Sequence, residues 1–298
     1  ALDFCIDGQR LFTGSFDGYL RSFAATGFRE LLNRTRAHDE RFNSLCTTTD
    51  GKYVVTASFF DKSIKLWKAD TLDIEATLVG HTGGVMCVVA TGKDIPMLVS
   101  ASEDRTIKIW DLKTYKEIRT LDGHENWIRS FAVSDDQKHI ISGGVSKIVM
   151  LWCFHTGKLI SCFEGHTNDI SCVTILSDGS RAVSASNDRS VRVWRVASPN
   201  MDQERSSGNF ANVVDIALSR DGCMCVSALE DDTFKIWKCE TTEQCITLRG
   251  KGKRAISVAV SADNRYFVSF SKKDRFSFLI KVWNFDNGSG ISEIKIYG

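Results

Sequence analysis

The chain has 298 residues, 43% of them apolar and 25% charged, with a formal net charge of +1. That balance is ordinary for a folded globular domain and gives no global field for nucleic acid or an anionic membrane. No apolar run approaches the roughly 18 residues of a membrane-crossing helix, and the first residues do not read as a secretion signal.

In chain order, the sequence is built on two landmarks. Ala37-His38, Gly80-His81, Gly123-His124 and Gly165-His166 continue as Gly208-Asn209 and Gly250-Lys251, so the second members stand 43, 43, 42, 43 and 42 residues apart. Phe23, Trp67, Trp110, Trp152, Trp194, Trp237 and Trp283 keep step, at spacings of 44, 43, 42, 42, 43 and 46. Such a period marks one supersecondary unit repeated, not a single irregular core. It predicts seven units over residues 1–34, 35–77, 78–120, 121–162, 163–205, 206–247 and 248–298, together one domain. The opening Ala1-Leu2-Asp3-Phe4 reads as the middle of a first strand, which points to a domain cut from a longer protein.

Each unit reads as four short strands. The first follows the Gly-His pair, as in Ile170–Ile175, and ends at a turn such as Ser177-Asp178-Gly179. The second is a run like Met97–Ser102. A tight turn, Glu103-Asp104-Arg105-Thr106 in the third unit, leads into a third strand. There, in Ile107-Lys108-Ile109-Trp110 and its counterparts, apolar and basic residues alternate and face opposite sides. The fourth runs up to the next Gly-His pair, and Ile291–Tyr297 supplies it for the last unit, so each unit is built from consecutive residues. Residues 197–207 stand where the fourth strand of the fifth unit belongs. They read as a poorly formed outer strand and loop, with a docking motif as the alternative. Thr82-Gly83-Gly84 and Ser142-Gly143-Gly144 read as turns, because no helix follows them to cradle a phosphate.

The recurring Gly-His, turn Asp and Trp resemble the WD-repeat (WD40) family of β-propellers over essentially the whole chain, although the Trp-Asp dipeptide stands only at Trp110-Asp111. The resemblance implies an all-β fold, a seven-bladed β-propeller of four-stranded antiparallel blades around a central channel. It also implies a buried hydrogen-bonded set in each blade. Blade 2 offers His38, Thr56, Asp61 and Trp67; blade 3 offers His81, Ser100, Asp104 and Trp110; blade 5 offers His166, Ser184, Asp188 and Trp194. Blade 4 keeps His124, Ser142 and Trp152, with Ser146 in place of the Asp. Blade 6 keeps Ser227, Asp231 and Trp237 without the His, blade 7 keeps Ser269, Asp274 and Trp283, and blade 1 has Thr13 and Asp17 with Phe23. A Ser-His-Asp trio that recurs from blade to blade is what architecture requires and an active site does not. No residue is therefore assigned as catalytic.

Ten cysteines are read as reduced core residues, because the chain is neither short nor loop-dominated. Cys223-Met224-Cys225 lacks a second pair at metal spacing, so no metal site and no cofactor are assigned.

Function is then expected on the loop-bearing faces. The resemblance places the Gly-His loop and the turn before the third strand on one face, the top. Trp127, alone outside the blade-core series, sits there beside Arg129, a composition typical of an interaction hot spot; the alternative is a Trp lying over a neighbouring loop. Phe16, Arg41, Phe60, Arg254 and Lys272 join them as candidate partner-binding residues of blades 7, 1 and 2, where the turn Lys272–Phe278 is about four residues longer than its counterparts. Aromatic and basic groups together suit a peptide with apolar anchors and acidic or phosphorylated residues, and the alternative is that the Phe side chains pack the enlarged turns. The expected function is a non-catalytic, intracellular protein-interaction scaffold, monomeric as an isolated domain. The competing classes are a propeller enzyme with a site at the channel mouth and a nucleic-acid-binding module.

Overall fold

The alternation of the third strands becomes strand in three dimensions. In Thr106–Asp111, Ile107 and Ile109 are buried, while Lys108 turns to the opposite face and pairs with Glu117 at 2.8 Å. The computed structural model describes residues 2–4, 10–14, 17–24, 30–40, 42–92, 96–196, 204–205, 211–239, 241, 243–261, 263–275 and 277–297. Among these residues there is no helix, and 28 strands form seven four-stranded antiparallel sheets, each from four consecutive strands. These are the blades of a seven-bladed β-propeller. Blade 1 orders Leu2–Phe4, Arg10–Gly14, Tyr19–Ala24 and Glu30–Arg36; blade 7 orders Arg254–Val260, Tyr266–Lys272, Ser277–Asn284 and Gly290–Tyr297. Residues 2–4 pair with Leu11–Thr13 inside blade 1, as expected for a unit of consecutive strands. Of residues 197–207 only Glu204 and Arg205 are described; they form the fourth strand of blade 5 and pair with Arg192 and Val193, and the rest of that stretch lies outside the described residues.

Contacts gather the chain into two compact units, 1–129 with 156–158, and 130–155 with 159–298. In the first, one core cluster joins blades 1 and 2 through Phe12, Leu20, Phe42, Val54 and Trp67. Another joins blades 2 and 3 through Leu66, Leu78, Val88, Leu98 and Trp110. In the second unit, Ile141, Leu151, Ile170, Val173 and Trp194 bind blade 4 to blade 5. Phe234, Val258, Phe267 and Trp283 bind blade 6 to blade 7, with Phe267 stacked on Trp283 at 5.8 Å. Each cluster draws on two blades, so a blade's apolar faces are buried only against its neighbours. Each such side chain contributes roughly 1.5–3 kcal/mol.

Two expectations are corrected by the packing. Gly143 and Gly144 are not a turn; they close the strand His139–Gly144. Ala57, Ala101, Ala185 and Ala228 occupy the position of Gly143 in blades 2, 3, 5 and 6. In blade 4 a Cβ would lie 2.8 Å from Ile170 Cγ2 and 3.1 Å from Val173 Cγ1. Glycine fits there because Ile170 and Val173 approach it from blade 5. Gly143→Val should therefore destabilise by roughly 2–3 kcal/mol through overpacking. Pairing it with Ile170→Val should recover part of that loss in urea unfolding, and no recovery would refute the packing account.

The extra residues of blade 7 also differ from expectation. Lys272 pairs with Phe278, and Phe270 stacks on Phe278 at 5.3 Å, so most of the insertion lengthens the strands instead of the loop. Phe278 packs its own hairpin. The cysteines, too, are less buried than expected: of the nine described, only Cys225 and Cys239 are buried, while Cys162, Cys223 and Cys245 are exposed.

Candidate interaction surface

The top face is held by the polar sets. In blade 3 the Trp110 indole donates to Ser100 Oγ at 2.8 Å, Ser100 reaches His81 Nε2 at 2.8 Å, and His81 Nδ1 reaches Asp104 Oδ2 at 2.8 Å. Blade 5 repeats this with Trp194, Ser184, His166 and Asp188 at 2.8, 2.7 and 2.7 Å. Blade 2 repeats it with Trp67, Thr56, His38 and Asp61 at 2.9, 2.8 and 2.6 Å. The indole can only donate. The coherent arrangement is therefore indole to hydroxyl, hydroxyl to imidazole, imidazole to carboxylate. Thr56, Ser100 and Ser184 are fully buried, so no substrate reaches these hydroxyls. The trios are struts, not catalytic sites. Trp152, Trp237 and Trp283 likewise donate to Ser142, Ser227 and Ser269 at 2.8, 2.9 and 2.8 Å.

In blades 6 and 7, whose sequence has no loop His, a third-strand lysine lies over the Trp ring, which the sequence reading missed. Lys235 Nζ lies 5.4 Å from the Trp237 ring centroid, and Lys281 Nζ lies 3.6 Å from that of Trp283. Both are cation–π distances. Burial depresses both ammonium pKa values. The signal was present: these are the basic residues two before each Trp, in the units that lack the His.

Acid should loosen the fold in two stages. Burial pulls His124 down to about 4 from 6.5. The unfolded imidazole gains its proton near its ordinary pKa of about 6.5, whereas the folded one stays neutral, so stability falls as pH drops through that interval. Asp61, Asp104 and Asp188 act at lower pH. Burial raises their carboxyls, but hydrogen bonds from His38, His81 and His166 and from the turn residues outweigh it and hold them well below the usual range. Their stabilisation is complete above the unfolded carboxylate pKa and is lost as pH falls through the folded values. Denaturant unfolding at pH 7 and pH 5 should differ by roughly 2 kcal/mol on account of His124. His124→Gln should flatten that difference, and an unchanged slope in the variant would contradict the assignment.

A second polar row, also unforeseen, lines the first strands. Val88 N donates to Ser44 Oγ at 3.1 Å, and Val173 N donates to Ser130 Oγ at 3.1 Å. Val258 N and Ser257 Oγ donate to Asp215 Oδ2 at 3.0 and 2.6 Å. Each bond ties one blade to the next within its unit. The trace in the sequence is the series Ser44, Cys87, Ser130, Cys172, Asp215 and Ser257, small or polar residues at the repeat interval. Burial raises the Asp215 carboxyl pKa.

The rim residues divide between the units. Trp127 is 44% exposed, while the six core tryptophans are 1–4% exposed wherever they are buried in the blades. Its N–H is held by the Asn126 carboxamide at 2.8 Å. Arg129 is exposed one step further on. Phe60 is 46% exposed and meets Phe59 edge-on at 5.3 Å, and Phe59 packs against Gly84, where a Cβ would stand 2.4 Å from its ring. One Phe of that pair thus packs the turn and the other faces solvent. In the second unit, Arg254 and Lys272 are cross-strand partners, and Arg254 pairs with Glu230 at 3.1 Å. Phe16 and Arg41 lie outside the described residues. Among the described residues no group of three or more His, Cys, Asp and Glu side chains is placed to hold a metal ion.

Comparison with known proteins agrees with this geometry. The chain is 43% identical over 65 residues to coatomer subunit beta'-1 of Arabidopsis thaliana, covering 22% of this chain and 7% of that one. It is 37% identical over 160 residues to nuclear distribution protein nudF of Emericella nidulans, covering 43% and 35%. It is 33% identical over 118 residues to WD repeat-containing protein 37 of Mus musculus, covering 39% and 23%. The chain thus spans about a third or less of these relatives. The profile of the WD domain, G-beta repeat, matches residues 29–68, 73–111, 115–153, 157–195 and 203–238, and with the polar sets it places this chain in the WD40 family.

Proposed function

We propose that this chain is a non-catalytic interaction platform whose top-face loops dock a peptide or a partner domain. The observation that carries this reading is the exposure of Trp127 on a loop that the blade cores do not need, next to Arg129. A large amphipathic ring beside a guanidinium is the composition that dominates binding energy when desolvated. The recurring Ser-His-Asp trios are absorbed by the fold, which leaves them no chemistry to perform. Arg129 with Trp127 in the first unit, and Arg254 with Lys272 in the second, favour acidic or phosphorylated residues on the partner. The relatives are components named for a coatomer and for nuclear distribution, and they are longer than this chain, in keeping with a domain that serves a larger, intracellular protein. The test is binding of peptide libraries, with and without phosphate, to wild-type protein and to Trp127→Ala/Arg129→Ala. Equal binding by both would overturn the assignment of this face.

A further inference from the structure

Blade 6 concentrates thiols beside a cavity. The cavity measures about 440 Å³ and lies between blades 5 and 6, lined by Leu176, Asp178, Arg181, Asp221, Cys223 and Lys238 among others. That volume is in the range of small-molecule sites. Cys223 is exposed at its wall. Met224 and Lys238 are register partners, and just beyond the strand ends Cys239 N donates to Cys223 O at 2.8 Å, so Cys223 and Cys239 continue the pairing as facing residues. Opposite residues of an antiparallel pair project to the same side with Cα atoms about 4.5–5.5 Å apart, inside the span a disulfide bridges. Cys225, two residues along on that same face, is buried with Cys239 and Trp237 and donates its thiol hydrogen to the Cys239 sulfur. Three thiols therefore share one face of one hairpin, and one of them opens to solvent.

The charges around that opening are mixed. The Arg181 guanidinium makes no ion pair or hydrogen bond to a described residue, and it is close enough to act on Asp178 and on the Cys239 sulfur. Lys238 pairs with Glu243 at 3.1 Å. Asp178 accepts from Ser180 N at 2.9 Å and Ser180 Oγ at 2.7 Å, and Asp221 accepts from Cys223 N at 3.0 Å, from Ser219 Oγ at 2.6 Å and from the Asn264 side chain. A lining that sets a guanidinium without a hydrogen-bond partner beside two carboxylates suits a zwitterion that carries carboxylates and an ammonium group.

We propose that this cavity is a thiol–disulfide exchange site, in which Cys223 captures a low-molecular-weight zwitterionic disulfide and Cys239 resolves it. In the first step the Cys223 thiolate attacks one sulfur of the small disulfide. A Cys223–S–S–R bond forms, the original S–S bond breaks, and R–S⁻ leaves to take up a proton. In the second step the Cys239 thiolate attacks the Cys223 sulfur. The Cys223–Cys239 disulfide forms and a second R–S⁻ leaves, so two protein thiols are oxidised as one small disulfide is reduced to two thiols. The hydrogen bond from Cys225 works against burial, and Arg181 assists it; together they lower the Cys239 thiol pKa and prepare it as the resolving nucleophile.

The probe is oxidised glutathione added to the reduced protein, read by intact mass and peptide mapping. Wild type should pass through one adduct on Cys223 and end with the Cys223–Cys239 disulfide and two released thiols. Cys239→Ala should stop at the adduct, and Cys223→Ser should give neither product. In the Cys239→Ala background, Arg181→Met should slow adduct formation about tenfold while leaving alkylation of Cys223 by neutral iodoacetamide unchanged. A lasting adduct on wild-type Cys223, or modification of Cys162 or Cys245 as fast as Cys223, would overturn the proposal. So would an Arg181→Met effect that is equal for both reagents. If Cys239→Ala does not fold, the wild-type map and Cys223→Ser decide the matter alone.

Discussion

Asp104→Ala should destabilise the protein by roughly 3–5 kcal/mol, among the largest losses available from a single surface-loop residue. The Asp104 carboxylate accepts from His81 Nδ1 at 2.8 Å, Thr82 N at 2.9 Å, Thr106 N at 3.0 Å and Thr106 Oγ1 at 2.6 Å. Its side chain is only 7% exposed, so water cannot replace the four bonds when the carboxylate is removed. The buried His81 Nδ1–H is left unpaired, which costs more than the bond itself is worth. Asp61→Ala makes the internal comparison, because the Asp61 side chain is 30% exposed and water already reaches its carboxylate. Urea midpoints with unchanged slopes should rank Asp104→Ala well below Asp61→Ala. Equal losses would show that exposure does not govern the cost and would undo this reading of the sets.

Trp127→Ala with Arg129→Ala should leave the melting temperature nearly unchanged, since neither side chain belongs to a blade core. Affinity for an authentic partner should fall by roughly 2 kcal/mol or more, about thirtyfold. The two measurements separate two roles for the same residues. Unfolding of the variant would make Trp127 structural. Intact folding with intact binding would move the docking site to another face or to the outer strands, where Ile74, Leu159 and Ile160 are exposed. Against a phosphorylated peptide the loss should shrink as salt is raised, because the Arg129 contribution is electrostatic.

The blades were legible because their cause is local. Period-two alternation, a tight turn and a Trp at a fixed offset act within one hairpin, and the sets at His38, His81 and His166 follow from the same offsets. What stayed hidden depends on neighbours. The Gly143 strand could not be told from a turn without knowing that Ile170 presses on it from blade 5. The blade 7 insertion read as loop because strand length is set by cross-strand partners such as Lys272 and Phe278, not by composition. The lysines over Trp237 and Trp283 show themselves only by their approach to the rings, which a residue-by-residue match does not show. The exposure of Trp127 was anticipated from its place outside the repeat. The cysteines misled because a strand position half-buried against a neighbour looks apolar in sequence, while Cys223 and Cys245 sit at the ends of strands.

The consecutive order of strands within every blade has a kinetic consequence. Each ladder closes within one repeat, as when Leu98 meets Trp110 and Ala90, so no sheet waits for a distant segment to arrive. Loop-closure entropy rises slowly with length, yet non-local pairing is what slows all-β chains most. Here the slow steps are shifted from making sheets to stacking them. A nascent chain can complete a blade's hydrogen bonding as soon as its fourth strand has emerged, and it then waits only for the next blade to cover its apolar face.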